Sequence, residues 1–149
     1  MEFRRATLGD VEALVALRKQ QLMDEGLSSP EKNIDSELKA YFNRALADNS
    51  FISWLALDDG VVIATSGLCF YQLPPNYANP SGNNAYVTNM LTQKAYRKQG
   101  IASALLEKIL LEARSLGFTV VRLHASADGK GLYAKFGFVP TDGYMALRF

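Results

Sequence analysis

The residues whose types and spacing could do chemistry stand in "AYRKQGIAS", positions 95–103. Arg97 and Lys98 bring two cations, Gly100 brings backbone without a side chain, and Ala102 keeps the next turn narrow. An apolar helical repeat begins directly behind them. The first N–H groups of a helix have no acceptor inside it, and the peptide dipoles place about half a positive charge there. A glycine and two cations at such a place suit an anion, with room for a phosphate or diphosphate against the backbone. The same residues also suit a solvated basic loop ahead of a well-made helix, and R-x-x-G-x-A alone leaves both readings open. Two other anion-binding patterns are absent: G-x-x-x-x-G-K-[ST], and G-x-G-x-x-G with an acidic residue after the next strand.

The elements that must position this stretch can be read from periodicity. "FRRAT" is a short strand, and Thr7 with Asp10 makes a near capping box for a helix carrying Val11, Leu14, Val15 and Leu22. "GLSSPEKN" breaks that helix, and Ile34, Leu38, Tyr41, Phe42 and Ala45 mark the next. "FISWLAL" and "VVIATSGLCFYQL" are strands joined by Asp58-Asp59-Gly60, a hairpin signal. "PPNYANPSGNN", with three prolines and four asparagines, is expected to be a loop throughout its 11 residues. "AYVTNMLT" returns to strand. "GIASALLEKILLEARSLG" is a helix with Ala102, Leu105, Ile109, Ala113 and Leu116 as its buried stripe and Gly117 as its cap. "TVVRLHAS" is a strand, "GKGLYAKFGF" a short helix with a turn, and "YMALRF" a closing strand. The strands at 85–92 and 119–125 are joined through a helix and should be parallel neighbours.

Composition bounds the function. A chain of 149 residues, 48% apolar and 21% charged, is expected to form one globular domain over residues 1–149. A net charge of +1 argues against nucleic acid and membrane surfaces as partners, so any positive site must be local. Cys69, the one cysteine, precludes an internal disulfide and sits in an apolar run as a core thiol rather than a nucleophile. No run approaches the roughly 18 apolar residues of a membrane span, and "MEFR" does not open a signal peptide, so the protein reads as cytoplasmic.

With "GLYAKFGF" in view, the chain resembles the GNAT superfamily of acyl-CoA-dependent N-acetyltransferases over nearly its whole length. "YVTNMLTQKAYRKQGIASALLEKILLEARSLG" is similar to that family's central strand, its R/Q-x-x-G-x-G/A pyrophosphate loop and the helix behind it, and "LYAKFGF" to its second signature. The resemblance implies a single GNAT-like α/β domain. Its mixed central sheet would have an antiparallel N-terminal half and splayed parallel central strands, flanked by about four helices. It further implies acetyl-CoA as cosubstrate, no metal, and an amine acceptor.

Carried over by position, the resemblance makes Arg97, Lys98, Gln99, Gly100, Ile101, Ala102 and Ser103 the pyrophosphate cradle, mostly through their backbone N–H groups. Met90, Leu91 and Thr92 fall where the family's strand leaves its neighbour and pairs with the pantetheine arm. Tyr133 falls where the family often places a tyrosine near the sulfur, and Ser126 near a position often held by asparagine. An amine attacking a thioester develops an oxyanion, for which a free N–H such as that of Leu91 would serve. The departing thiolate, of pKa about 8.5, leaves faster with a phenol of pKa about 10 to protonate it.

No Asp or Glu lies in "AYVTNML", the strand that often carries the family's base. His124 is chemically able but also fits a half-buried strand position, Tyr86 could act through water or simply pack, and Asp142 suits a turn. The acceptor would meet the break at 24–33, the loop at 74–84 and the turn at 140–143, which carry Asp24, Glu25, Glu31, Tyr77 and Asp142. These would suit a cationic small-molecule or peptide amine, or be ordinary solvated charges. Two functions remain open: an N-acetyltransferase acting by direct attack in a ternary complex, or a non-catalytic acyl-CoA-binding sensor or partner domain. The apolar closing strand could pair with a second subunit to make a homodimer.

Overall fold

The computed structural model describes residues 1–141 and 143–149. In chain order the elements are β1 (Glu2–Arg5), α1 (Val11–Asp24), α2 (Asp35–Ala47), β2 (Phe51–Asp58), β3 (Val61–Gln72), β4 (Asn83–Thr92), α3 (Ile101–Ser115), β5 (Val121–Leu123) and α4 (Lys130–Lys135). The strands form one sheet in sequence order, antiparallel from β1 to β4 and parallel between β4 and β5.

The approach to α1 is fixed by the Asp10 carboxylate, which accepts from the Thr7 N–H at 2.7 Å and from the Arg4 guanidinium at 2.8 and 2.9 Å. Those donors hold the Asp10 carboxyl at about 2, with the Arg4 bond the largest cause. α1 then buries Val11, Leu14, Val15 and Leu17. Gln21, rather than Leu22, takes the buried position in its last turns, its amide accepting from Arg18 and donating to Glu25. Asp59 and Gly60 form the two-residue turn between β2 and β3 with φ of +46° and +77°, the mirror-image geometry that suits a hairpin's twist.

β2 is buried along nearly its whole length because both of its faces are covered. Phe51, Leu55 and Leu57 pack with Val11, Leu14 and Phe42 of α1 and α2. Ile52 and Ala56 point the other way, into clusters that hold Leu106, Ile109 and Leu105 of α3. The buried stripe of α3 is turned slightly from its expected place. Ile101 and Leu106 are buried with Leu105, Ile109 and Ala113, Ala102 is only half-buried, and Leu116 is exposed.

Three expectations are corrected. Asn83 and Asn84 are not loop: they begin β4, in register with Gln72 and Tyr71. The strand expected over 119–126 shrinks to Val121–Leu123, because only three residue pairs join it to β4. "YMALRF" forms no strand, since no neighbour in the sheet lies alongside it among the described residues. Among the described residues no helix is long and apolar enough to cross a membrane.

Candidate functional site

The helix entrance is built by alternating backbone handedness. Lys98 and Gly100 have φ of +61° and +79°, so the chain reverses twice before Ile101 starts the helix. Its first backbone bond runs from the Ala104 N–H to the Gly100 carbonyl. The N–H groups of Ile101, Ala102 and Ser103 therefore have no acceptor within the helix, and no side chain caps them. Such a run of free donors in mixed-hand backbone is an anion-binding concavity. A Cβ on Gly100 would meet nothing within 4 Å, so the glycine serves the left-handed φ rather than a tight contact.

The cations divide their labour. The Arg97 guanidinium pairs with Asp24 at 2.6 Å, and its Nε donates to the Thr92 carbonyl at 3.0 Å. Its side chain thus ties the loop to the end of α1 and to β4 instead of projecting into the concavity. Lys98 is exposed, and the Gln99 amide donates back to the Ala95 carbonyl.

β4 and β5 part company early. Their parallel pairing covers Ala85–Val121, Tyr86–Arg122 and Val87–Leu123, after which β5 ends and β4 runs on to Thr92. Between Thr88 and Leu91 β4 also bulges against β3, with Asn89 buried at φ +56° and its carbonyl accepting from Thr65. Past the bulge the backbone alternates again. The Gln93 N–H reaches the Ile63 carbonyl of β3, so Leu91, two residues back and opposite Thr65, also turns its polar groups toward β3. Met90 and Thr92 face the open edge. The free N–H expected of Leu91 therefore belongs to Met90, because the bulge shifts the alternation by one residue.

Tyr133 of α4 is buried in the cluster of Ala85 and Val87, against which Met90 and Leu123 also pack, so it lies where the strands separate. Its ring meets Phe138 edge-on at 5.8 Å. Gly129 makes room for that ring: a Cβ there would stand 2.7 Å from it. Among the described residues the hydroxyl forms no hydrogen bond. Burial, with the Glu25 carboxylate and the Tyr86 phenol adding to it, raises the phenol above its ordinary value, so it keeps its proton at neutral pH. Ser126 turns inward to its own loop, its Oγ and carbonyl both accepting from the Gly129 N–H.

The structure sorts the candidates for acceptor and base. His124 is exposed just beyond β5, not half-buried in a strand. Burial raises the Tyr86 phenol, with the Cys69 thiol a lesser cause and a backbone hydrogen bond at His124 opposing. Burial likewise raises the Cys69 thiol, which is half-buried and packs against the first core cluster rather than within it. Asp24 is occupied by Arg97 and Gln20, Tyr77 is fully in solvent, and Asp142 lies outside the described residues. The Glu25 carboxylate accepts from the Gln21 amide, and its charge adds to the rise of the Tyr133 phenol.

The open end of β4 thus leads directly to the free N–H groups before α3, and a protonated phenol packs in the cluster beside β4. The profile of the Acetyltransferase (GNAT) family matches residues 15–138. No curated protein matches the chain. Among solved structures, a predicted acetyltransferase from Clostridium acetobutylicum, crystallised with acetyl-CoA, is 39% identical over 99% of this chain and 95% of its own, with a TM-score of 0.94. A GCN5-related N-acetyltransferase from Ralstonia eutropha is 24% identical over 99% of this chain and 97% of its own, at TM-score 0.87. An acetyltransferase from Trypanosoma brucei is 18% identical over 99% of both chains, at 0.74. The last two show likeness of fold alone. The profile and the Clostridium structure go further, and on them this chain belongs to the GNAT acetyltransferase family.

Proposed function

We propose that this protein is an N-acetyltransferase that moves an acetyl group from acetyl-CoA to a primary amine of a small molecule or peptide, by direct attack in a ternary complex. The pyrophosphate would lie against the N–H groups of residues 98–103 and the pantetheine arm along the open edge at Met90–Thr92. The acetyl thioester supplies an electrophilic carbonyl and a thiolate leaving group. As the amine nitrogen bonds to the carbonyl carbon, the Met90 N–H receives the charge growing on oxygen. As the carbon–sulfur bond breaks, the Tyr133 hydroxyl gives its proton to the thiolate, and the proton shed by the new amide nitrogen returns through water to the Tyr133 phenolate. The Glu25 charge, which acts on Tyr133, would attract an ammonium group and so favours a cationic acceptor; the amine loses its proton to water before attack.

The observation that carries this reading is the Tyr133 phenol, its ring buried in the cluster of Ala85 and Val87 and its protonated hydroxyl without a partner among the described residues. A protein that only held acyl-CoA would have no use for such a donor. Turnover of a panel of amines with acetyl-CoA, measured as release of free thiol, identifies the acceptor. With any accepted amine, Tyr133→Phe should lower kcat by about 10²-fold while leaving CoA affinity and thermal stability nearly unchanged. Full turnover at normal affinity in that variant would remove Tyr133 from the chemistry, whereas CoA binding by the parent protein with no turnover of any amine would favour the binder.

A further inference from the structure

The inner stripe of α1 changes character along its length. It is apolar at Val11 and Leu14 and becomes polar at Arg18, Gln21 and Glu25, which are spaced three and four residues apart and so share one face. Gln21 is buried, and its carboxamide is bonded at both ends. The oxygen accepts from the Arg18 guanidinium at 2.9 Å, and the nitrogen donates to the Glu25 carboxylate at 3.1 Å. The amide cannot be turned over, because its NH2 would then face the guanidinium and its oxygen the carboxylate. It therefore holds a cation and an anion on one side of the helix, within about 8 Å of each other.

The cation lacks a counter-ion. Among the described residues Arg18 forms no ion pair, whereas its neighbours on α1 do, Lys19 with Asp35 and Asp24 with Arg97. An exposed carboxylate such as Glu25 is satisfied by water. A half-buried guanidinium is not, and Gln21 uses only one of its five N–H groups.

The surroundings connect this pair to the reacting end of the site. α1 crosses β3 and β4, where Cys69 lies opposite Tyr86 and both are half-buried. Burial raises the Tyr41 phenol of α2, with Cys69 adding to the rise and Arg44 and Arg18 opposing it. Cys69 also bears on Tyr86, and Tyr86 and Glu25 both bear on Tyr133. The succession from Arg18 through Tyr41, Cys69, Tyr86 and Tyr133 to Glu25 closes on itself through Gln21. The two charges and the Tyr133 phenol thus border one region of the molecule.

We propose that Arg18 and Glu25 select the acceptor and that it is an amino carboxylate, its own carboxylate paired with Arg18 while Glu25 draws its ammonium group toward Tyr133. This rests on the reading of the site as an N-acetyltransferase. One guanidinium matches one carboxylate through a two-bond fork. A simple alkylamine would leave that fork unfilled. The rings of Tyr41 and Tyr86 offer apolar surface to the carbons between the two ends.

The test is turnover with acetyl-CoA on straight-chain amino carboxylates, from aminoacetate to aminohexanoate, each beside its own amide. The amide keeps the amine and removes the negative charge. The best acid should exceed its amide in kcat/KM by at least about tenfold, with the difference in KM. Arg18→Gln should remove that preference, and Arg18→Lys, which keeps the charge and loses the fork, should leave it in between. Amides used as well as their acids at every chain length, or a preference that survives Arg18→Gln, overturns the assignment while the enzyme stands, since an amine is still acetylated. Binding of acetyl-CoA with no amine acetylated overturns the transferase reading and this assignment with it. Should Arg18→Gln fail to fold, the acid-to-amide ratio of the parent protein and of Arg18→Lys decides.

Discussion

The two halves of the sheet are built to opposite ends. From β1 to β4 long strands pair along nearly their full lengths, β2 is covered on both faces, and polar groups such as Ser53 and Thr65 find partners inside. From β4 to β5 the pairing stops after three residues, the next helix begins with uncapped N–H groups, and a phenol whose ring is buried makes no hydrogen bond among the described residues. Backbone polar groups are normally satisfied within a fold. Those before α3 adjoin an exposed loop, residues 97–100, and so stay open to water or to a ligand. The contrast is a division of labour, with a scaffold in the first half and a region left for a ligand to complete in the second.

Breaking the scaffold should show in stability and not in binding. Leu55, fully buried between β2 and the first two helices, should cost about 2–5 kcal/mol on Leu55→Ala, read from denaturant unfolding, with CoA affinity little changed at temperatures where the variant is folded. Breaking the open half should do the reverse. Gly100→Val forces the loop out of its left-handed φ and turns the free N–H groups away. CoA affinity measured by calorimetry should fall by at least about 10²-fold, or about 2.7 kcal/mol, while the fold survives because a Cβ there meets no neighbour within 4 Å.

The smallest effect sharpens the same contrast through pH. Asp10 belongs to the scaffold, and its folded pKa of about 2 lies below the ordinary 3.8. A depressed carboxylate contributes stability that is complete above its unfolded value and fades as pH falls from about 4 through about 2. Asp10→Asn should therefore cost about 1–2 kcal/mol at pH 7, and the gap from the parent protein should narrow over that acid range in thermal melts.

What the sequence made legible was whatever rests on local chemistry. The hairpin at Asp59-Gly60 and the helix beginning at Ile101 arise from residues whose backbone preferences act over a few positions. The concavity before α3 was legible for the same reason. Partners far apart in sequence were not. Arg97 and Asp24 are 73 residues apart, so nothing near Arg97 foretold that its guanidinium would leave the concavity. The bulge at Asn89 moved the outward-facing N–H from Leu91 to Met90, a one-residue shift that periodicity alone does not reveal. "YMALRF" has the composition of a strand, but a strand also needs a neighbour, and composition does not say which one.

Amide hydrogen exchange with and without acetyl-CoA tests most directly whether the open half is completed by the cofactor. The N–H groups of Ile101, Ala102, Ser103, Met90 and Thr92 should gain protection when acetyl-CoA is added, while Leu91, already bonded toward β3, and the amides of β2 should change little. Protection that appears at Leu91 but not at Met90, or none at residues 101–103, would contradict the placement of the ligand along this edge.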